Sequence, residues 1–313
     1  MRDTSLAAID LGTNSCRLLI ADKNGNEVFK NAVPTRLGEG MAKNNCFTDE
    51  AMACGIDCFC MFKMFMDEYN VQRYRAVATA ACRMAENGSE FVHKVKQQAN
   101  IDLEVIDGYE EARLNLLGSM ANVKDENVKY IVVYDLGGGS TEITLATKEL
   151  RPKILHTVSI PWGARNSSEK FELNDYDENK AQKLAYEISR YSKKFAEEAE
   201  LDKYRDKVCF VATSSTPLRL THMVKGWDTY ERSRADGVAV ETKDFERVIA
   251  AIRKMNFEER LEHPCIGQSR ADIFNAACVI FAQIYHDLGA KKIIASLKSA
   301  VDGMITELIN GTD

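Results

Sequence analysis

The chain has 313 residues, 45% of them hydrophobic and 28% charged, with a formal net charge of −6. That length accommodates two domains, and the composition is that of an ordinary soluble globular protein. The acidic balance excludes broad, non-specific nucleic-acid binding, and no apolar run reaches the roughly 20 residues of a membrane span.

The elements are read from apolar periodicity and turn chemistry. Leu6–Asp10, Cys16–Ala21 and Glu27–Pro34 read as strands of a meander, with Asn24-Gly25 as a type I′ hairpin signal between the last two. Thr48 reads as the N-cap of a helix running to about Tyr69, apolar nearly all round through Met61, Phe62, Met64, Phe65 and Met66 and so expected to be buried on several sides. A strand at Arg75–Thr79, a helix at Ser89–Gln98, a strand at Leu103–Ile106 and a helix at Tyr109–Met120 follow. The order then repeats. Lys129–Asp135, Thr141–Ala146 and Lys153–Ser159 read as strands, Asp177–Glu200 as a helix, Val208–Thr213 as a strand, and helices follow near Pro217–Lys225 and Lys243–Lys254. Ala271–Asp287 reads as a helix, Lys292–Ala295 as a strand and Ala300–Ile309 as a closing helix. This pattern predicts two α/β domains with a cleft between them, residues 1–114 and 115–299, with the segment 300–313 packing back on the first.

The nine cysteines form no CxxC pair. Cys54, Cys58 and Cys60 fall in a helical apolar stretch, which points to reduced thiols in the cytoplasm and not to a metal cluster. The first strand begins almost at the N-terminus, so no signal peptide is expected.

The repeated order begins each time with the same sentence. Asp10-Leu11-Gly12-Thr13-Asn14-Ser15 recurs as Asp135-Leu136-Gly137-Gly138-Gly139-Ser140, each between two strand-like runs. Each Asp is therefore expected at a strand end and each Gly-rich stretch in a hairpin turn. Glycine permits close backbone approach and positive φ. Successive N–H groups beside Ser and Thr hydroxyls make a concave anion site, so Gly12, Thr13, Asn14, Ser15, Gly137, Gly138, Gly139, Ser140 and Thr141 are the phosphate-binding candidates. A carboxylate heading each turn repels phosphate unless a divalent cation intervenes.

A duplicated Asp-Leu-Gly turn in this order of elements resembles the actin-like ATPase superfamily, which implies two actin-like (ribonuclease-H-like) α/β domains with an interdomain cleft. Four motifs narrow the resemblance to the exopolyphosphatase and guanosine pentaphosphate phosphohydrolase family, in its short two-domain form. They are Arg36-Leu37-Gly38-Glu39-Gly40, Ala78-Thr79-Ala80-Ala81-Cys82-Arg83, Gly108-Tyr109-Glu110-Glu111-Ala112-Arg113-Leu114 and Asp135 to Glu142. The resemblance implies hydrolysis of terminal phosphoanhydride bonds of inorganic polyphosphate, and of guanosine pentaphosphate, by a cytoplasmic homodimer that needs neither nucleic acid nor membrane. It implies Mg²⁺, replaceable by Mn²⁺, held by Asp135 and Glu142. Asp10, heading the first turn, is a candidate to ligate metal, to polarise water or to hold the turn. The resemblance makes Glu111 the general base and Arg83, placed by the sequence at the end of a strand-like run, the grip on the reacting phosphate. Arg17 and Arg270 are candidates for the nucleotide or polyanion groove.

The family's later Gly-x-Ser-Gly-Thr turn stands here as Ala212-Thr213-Ser214-Ser215-Thr216. Ser214 and Thr216 keep phosphate-binding hydroxyls, while both glycines are replaced. Ser296 to Gly303 also departs from the family pattern, although Asp302-Gly303 keeps an acid-glycine step, and Arg270-Ala271-Asp272 matches. Two other readings use the same turns: an ATP-binding actin-like switch, and a catalytically weakened sensor of guanosine tetra- or pentaphosphate.

Overall fold

The computed structural model describes residues 5–41, 45–149 and 152–311; the last two positions of the closing segment, 312–313, lie outside them. In chain order the elements are β1 (Ser5–Leu11), β2 (Cys16–Asp22), β3 (Glu27–Val33), α1 (Asp49–Glu68), β4 (Val71–Ala78), α2 (Ala80–Met84), α3 (Gly88–Ala99), β5 (Glu104–Val105) and α4 (Gly108–Ser119). Then come β6 (Tyr130–Leu136), β7 (Thr141–Thr147), β8 (Ile154–Ile160), α5 (Ala164–Lys170), α6 (Glu178–Glu198), β9 (Val208–Thr213) and α7 (Ser215–Lys225). The chain ends with β10 (Ala239–Glu241), α8 (Thr242–Ile252), α9 (Phe257–Glu262), α10 (Phe274–Asp287), β11 (Lys292–Ser296) and α11 (Ala300–Asn310). It divides into two compact units, one of Met1–Gly118 with Ala300–Asp313, the other of Ser119–Ser299.

The first unit is built on a five-stranded sheet in the order β3-β2-β1-β4-β5. β1 pairs antiparallel with β2 and parallel with β4. Its side chains alternate between the two faces: Ala7, Ile9 and Leu11 pack with α1 and α3 residues such as Phe59, Phe62 and Phe91. Leu6 and Ala8 pack with Leu114 of α4 and Val301, Met304, Ile305 and Leu308 of α11. A strand covered on both faces must be apolar at every position, which is why β1 shows no polar alternation before Asp10.

Thr48 caps α1, its hydroxyl accepting from the Ala51 N–H at 3.1 Å. This helix is not buried on several sides. It lays Met52, Ile56, Phe59, Phe62 and Met66 against the sheet, while Met64 is 71% exposed. A helix on one face of a sheet has one stripe to bury, and the spacing of three and four between those five residues is that stripe. Cys54 is exposed and Cys58 buried, and all nine cysteines are free thiols.

The β2–β3 turn also differs from the expectation. Gly25 is at φ +86°, but Asn24 has no positive φ, as type I′ requires. The Gly25 N–H bonds the Asp22 carbonyl at 3.0 Å, and the Asp22 carboxylate accepts from the Asn24 and Asn26 N–H groups at 2.8 and 2.9 Å. The result is a type I turn followed by a left-handed glycine, with a register shift after Ile20. The side-chain and backbone bonds from Asn26 hold the Asp22 carboxyl below its ordinary range.

The second unit carries a six-stranded sheet in the order β10-β11-β9-β6-β7-β8. β6-β7-β8 is an antiparallel meander like β1-β2-β3, and β9 lies parallel to β6 as β4 does to β1. The core packs Val132, Tyr134 and Leu136 of β6 with Leu184, Ile188 and Phe195 of α6 and Phe281 and Ile284 of α10. The short elements α2, α5, α9 and β10 were not anticipated from the sequence. Among the described residues no helix is long and apolar enough to cross a membrane.

Candidate functional site

In the first unit Asp10 is the penultimate residue of β1, directly opposite Arg17 in the β1–β2 register. Their side chains form an ion pair at 3.5 Å, which gives the first turn's carboxylate a cationic neighbour from its own hairpin. The turn closes through the Gly12 N–H and the Ser15 carbonyl at 3.0 Å. The Thr13 carbonyl accepts from the Gly38 N–H at 2.9 Å and the Asn14 carbonyl from the Arg36 N–H at 3.2 Å. In a trans peptide the C=O and the next N–H point in opposite directions. Fastening those two carbonyls to the Arg36–Gly38 strip therefore turns the Asn14 and Ser15 N–H groups away from it. Gly38 permits the approach: a Cβ there would stand 2.1 Å from Thr13 Cγ2.

The second turn repeats this arrangement with different parts. The Gly137 N–H bonds the Ser140 carbonyl, again at 3.0 Å. Ala164 donates to the Gly137 carbonyl at 2.9 Å, Arg165 to that of Gly138 at 2.8 Å, and Asn166 Nδ2 to that of Gly139 at 2.9 Å. By the same geometry the N–H groups of Gly138, Gly139 and Ser140 face away from α5, three successive donors suited to an anion. A Cβ on Gly163 would lie 2.5 Å from the Gly138 carbonyl carbon, so this anchor also needs a glycine. Neither Gly12 nor Gly137 adopts positive φ; each lies close to the carbonyl oxygen across its turn, so close approach and not handedness is their use.

Asp135 and Glu142 stand at the two ends of this turn, opposite each other across β6 and β7, with carboxylate oxygens within 4.8 Å. Thr213 Oγ1 donates to Asp135 Oδ1 at 2.7 Å, and Ser159 Oγ to Glu142 Oε1 at 2.9 Å. Glu142 is 2% exposed, so it is not an ordinary surface carboxylate. Two oriented carboxylates give an all-oxygen donor set, which suits a hard divalent cation such as Mg²⁺. Thr141 is fully buried and donates its hydroxyl to the Trp162 carbonyl at 2.8 Å, so that hydroxyl fastens the turn.

Arg83 does not end a strand; it lies in the short helix α2. Its Nη1 donates to the Ile106 carbonyl at 2.7 Å and to Glu111 Oε2 at 3.0 Å. The two residues singled out separately as phosphate grip and base are thus an ion pair, with Glu111 only 7% exposed. Glu110 turns elsewhere, to Arg75 and Arg113.

At the end of β9, Ser214 sits at φ +84°, ψ −174° as the N-cap of α7, and its buried Oγ has no hydrogen-bond partner. Thr216, 3% exposed, lies in the first turn of that helix. Arg270 begins the Arg270-Ala271-Asp272 step, whose Asp272 accepts from Arg165 Nη1 at 2.5 Å and from Ser168 Oγ through its carbonyl at 2.5 Å. Sequence reading missed Gly163, Arg165, Asn166 and Thr213. Trp162-Gly163-Ala164 was the one available signal, a glycine ahead of a short helix.

The sequence model of the Ppx/GppA phosphatase family matches residues 19–311. The bifunctional 3-dehydroquinate synthase/phosphatase of Fusobacterium nucleatum is 28% identical over 313 residues, covering 96% of this chain and 46% of that protein. The chain thus spans less than half the length of this relative. Exopolyphosphatase 2 of Mycobacterium tuberculosis is 27% identical over 324 residues, covering 97% of this chain and 98% of the relative. The crystal structure of an exopolyphosphatase-like protein superposes with a TM-score of 0.89 at 26% identity, covering 99% of this chain and all of that one.

Proposed function

The chain belongs to the Ppx/GppA phosphatase family, and we propose on that premise that it hydrolyses terminal phosphoanhydride bonds of inorganic polyphosphate, and of guanosine pentaphosphate, with Mg²⁺ or Mn²⁺. The observation that carries this reading is the second turn. Asp135 and Glu142 face each other at its ends, and three successive N–H groups are turned away from the α5 anchor. Few other ligands need both a cation site and a row of backbone donors; a phosphate chain needs both.

Asp135 and Glu142 would hold the metal, and Thr213 and Ser159 keep their carboxylates aimed. A divalent cation held there would supply charge neutralisation to the phosphate and so favour attack by water. Glu111 accepts the proton of the attacking water, and Arg83 fixes the direction of that carboxylate while offering its guanidinium to the phosphate. Asn14, Ser15, Gly138, Gly139 and Ser140 bind phosphate oxygens through N–H groups; Ser214 and Thr216 add hydroxyls. Arg17 and Arg270 select among polyanions. Homodimerisation and a cytoplasmic location belong to the same reading.

A phosphate-release assay comparing long polyphosphate, tripolyphosphate, guanosine pentaphosphate and ATP, with Mg²⁺ and with chelator, tests it. Release from the polyphosphates and from guanosine pentaphosphate, and not from ATP, abolished by chelator, is expected. Glu142→Gln should lower kcat by about 100-fold or more and weaken Mg²⁺ binding in calorimetry without substrate. Glu111→Gln should abolish turnover and keep Mg²⁺ binding. Tight ATP binding with no polyphosphate turnover would overturn the reading.

A further inference from the structure

The first turn of α4 carries Glu111 but has no large apolar anchor. Tyr109 is 54% exposed, and the buried leucines of the helix, Leu114 and Leu116, lie further along. Asp107 caps this turn, its carboxylate accepting from the Glu110 N–H at 2.8 Å and its carbonyl from the Glu111 N–H at 3.1 Å, and a closed ring of charges holds the side chains of its flank. Arg113 grips Glu110 with two donors, Nε to Oε2 and Nη2 to Oε1, both at 2.7 Å. Its Nη1 reaches Glu307 Oε1 on α11 at 2.5 Å. Glu307 Oε2 accepts from Arg75 Nη1 on β4 at 2.7 Å, and Arg75 Nη2 returns to Glu110 Oε1 at 2.8 Å. The Glu307 side chain is only 9% exposed, so its charge depends on both arginines. The ring lines a 720 Å³ depression together with Arg73, which donates to the Leu308 carbonyl.

Adjacent residues of a helix project about 100° apart. Glu110 is held in the ring while Glu111 is held by Arg83. The two grips pull in different directions, so α4 cannot roll about its axis without breaking one of them.

We propose that the Glu110–Arg113–Glu307–Arg75 ring positions Glu111 for catalysis, making α11 a structural arm of the general base. These four are positioning residues, and the inference rests on Glu111 being the base. Misplacement of a reacting group by about 1 Å costs up to about 100-fold in rate.

The test measures kcat and KM for polyphosphate in wild type, Glu111→Gln, Glu307→Gln, Arg113→Met and Arg113→Lys, with amide hydrogen exchange on each. Glu307→Gln and Arg113→Met should lose about tenfold in kcat with KM within about twofold, and Arg113→Lys should recover part of the loss. Exchange at Glu111 and Ala112 should accelerate at least tenfold while Leu18–Ile20 of β2 stay protected. An active wild type with unchanged kcat in folded Glu307→Gln and Arg113→Met overturns the inference. An active Glu111→Gln or an inactive wild type overturns the reading of Glu111 as base. Unchanged exchange in the ring variants overturns the ring's hold on α4 whether or not the chain turns over.

Discussion

Ser214 holds a backbone conformation, φ +84° with ψ −174°, that belongs almost entirely to glycine. The sequence drew attention to its neighbours instead, because Ala212 and Ser215 stand where the family has glycines. The structure gives both of those ordinary roles: Ala212 is a fully buried position of β9 between Tyr134 and Ala295, and Ser215 is the first residue of α7. The strain sits one residue away from the changes. Such a conformation costs about 1–3 kcal/mol, and glycine loses about 0.5–1 kcal/mol in chain entropy. Ser214→Gly is therefore expected to stabilise the second unit by about 1 kcal/mol, a rise of roughly 2–4 °C in its melting temperature by calorimetry. A fall would mean that the Ser214 hydroxyl contributes more than the strain removes. Glu111 shows the opposite limit of sequence reading. Glu110 and Glu111 are identical in type and adjacent, and only the fold shows one closing a ring on the helix flank and the other meeting Arg83.

At the scale of elements, the two Gly-rich turns were legible, because an Asp at a strand end, a Gly-rich step and a second strand are local signals. Their anchors were not. The first turn is fastened by a loop strip around Gly38 and the second by α5, each brought in from elsewhere in the chain. Asn24-Gly25 is the complementary case: the dipeptide marks a hairpin correctly, but the Asp22 carboxylate, accepting from Asn24 and Asn26, selects a different turn. Gly163→Ala tests the second anchor. A Cβ there would fall 2.5–2.7 Å from the backbone of Gly137, Gly138 and Gly139, so either α5 or the Gly-rich turn must move. The expected result is a loss of about 1–3 kcal/mol and phosphate release reduced more than Mg²⁺ binding. Unchanged kinetics would show that the turn does not depend on α5.

Helix α4 makes an element-scale prediction in pH. The Arg113 hydrogen bonds hold Glu110 below its ordinary pKa of 4.5, against the opposing effect of burial, with Arg75 adding to the depression. A carboxyl whose folded pKa is depressed stabilises the fold above its unfolded pKa and loses that contribution as pH falls through the folded value. Glu110→Gln should thus lower the melting temperature at pH 7, and the deficit should shrink below about pH 4.5. A deficit independent of pH down to 3 would assign the loss to packing, not charge.

Over the whole molecule, the repeated sentence in the sequence is a repeated topology: an antiparallel meander with a parallel strand beside its first member, once per sheet. The two units differ in how the chain supplies them. The second is one continuous stretch, Ser119–Ser299, whereas the first needs both the start of the chain and the segment from Ala300. That segment's α11 covers one face of the first sheet. Val301, Met304, Ile305 and Leu308 are each at most 4% exposed, packed on Leu6, Ala8 and Val77. Gly303 lets the helix approach α4 so closely that a Cβ would lie 2.1 Å from the Leu114 carbonyl oxygen. Burying four such side chains is worth about 1.5–3 kcal/mol each, so their sum rivals the roughly 5–15 kcal/mol that holds a domain together. Removing residues 300–313 should therefore unfold the first unit and leave the second, with its own core around Tyr134 and Phe281, intact. Hydrogen exchange on the shortened chain should show β1 and β2 unprotected while β6 and β7 keep native protection, and Leu308→Ala in the full chain should lower only the first unit's stability, by about 2–5 kcal/mol. Retained protection of β1 after the deletion would show that the sheet's other face, with α1 and α3, carries the first unit alone.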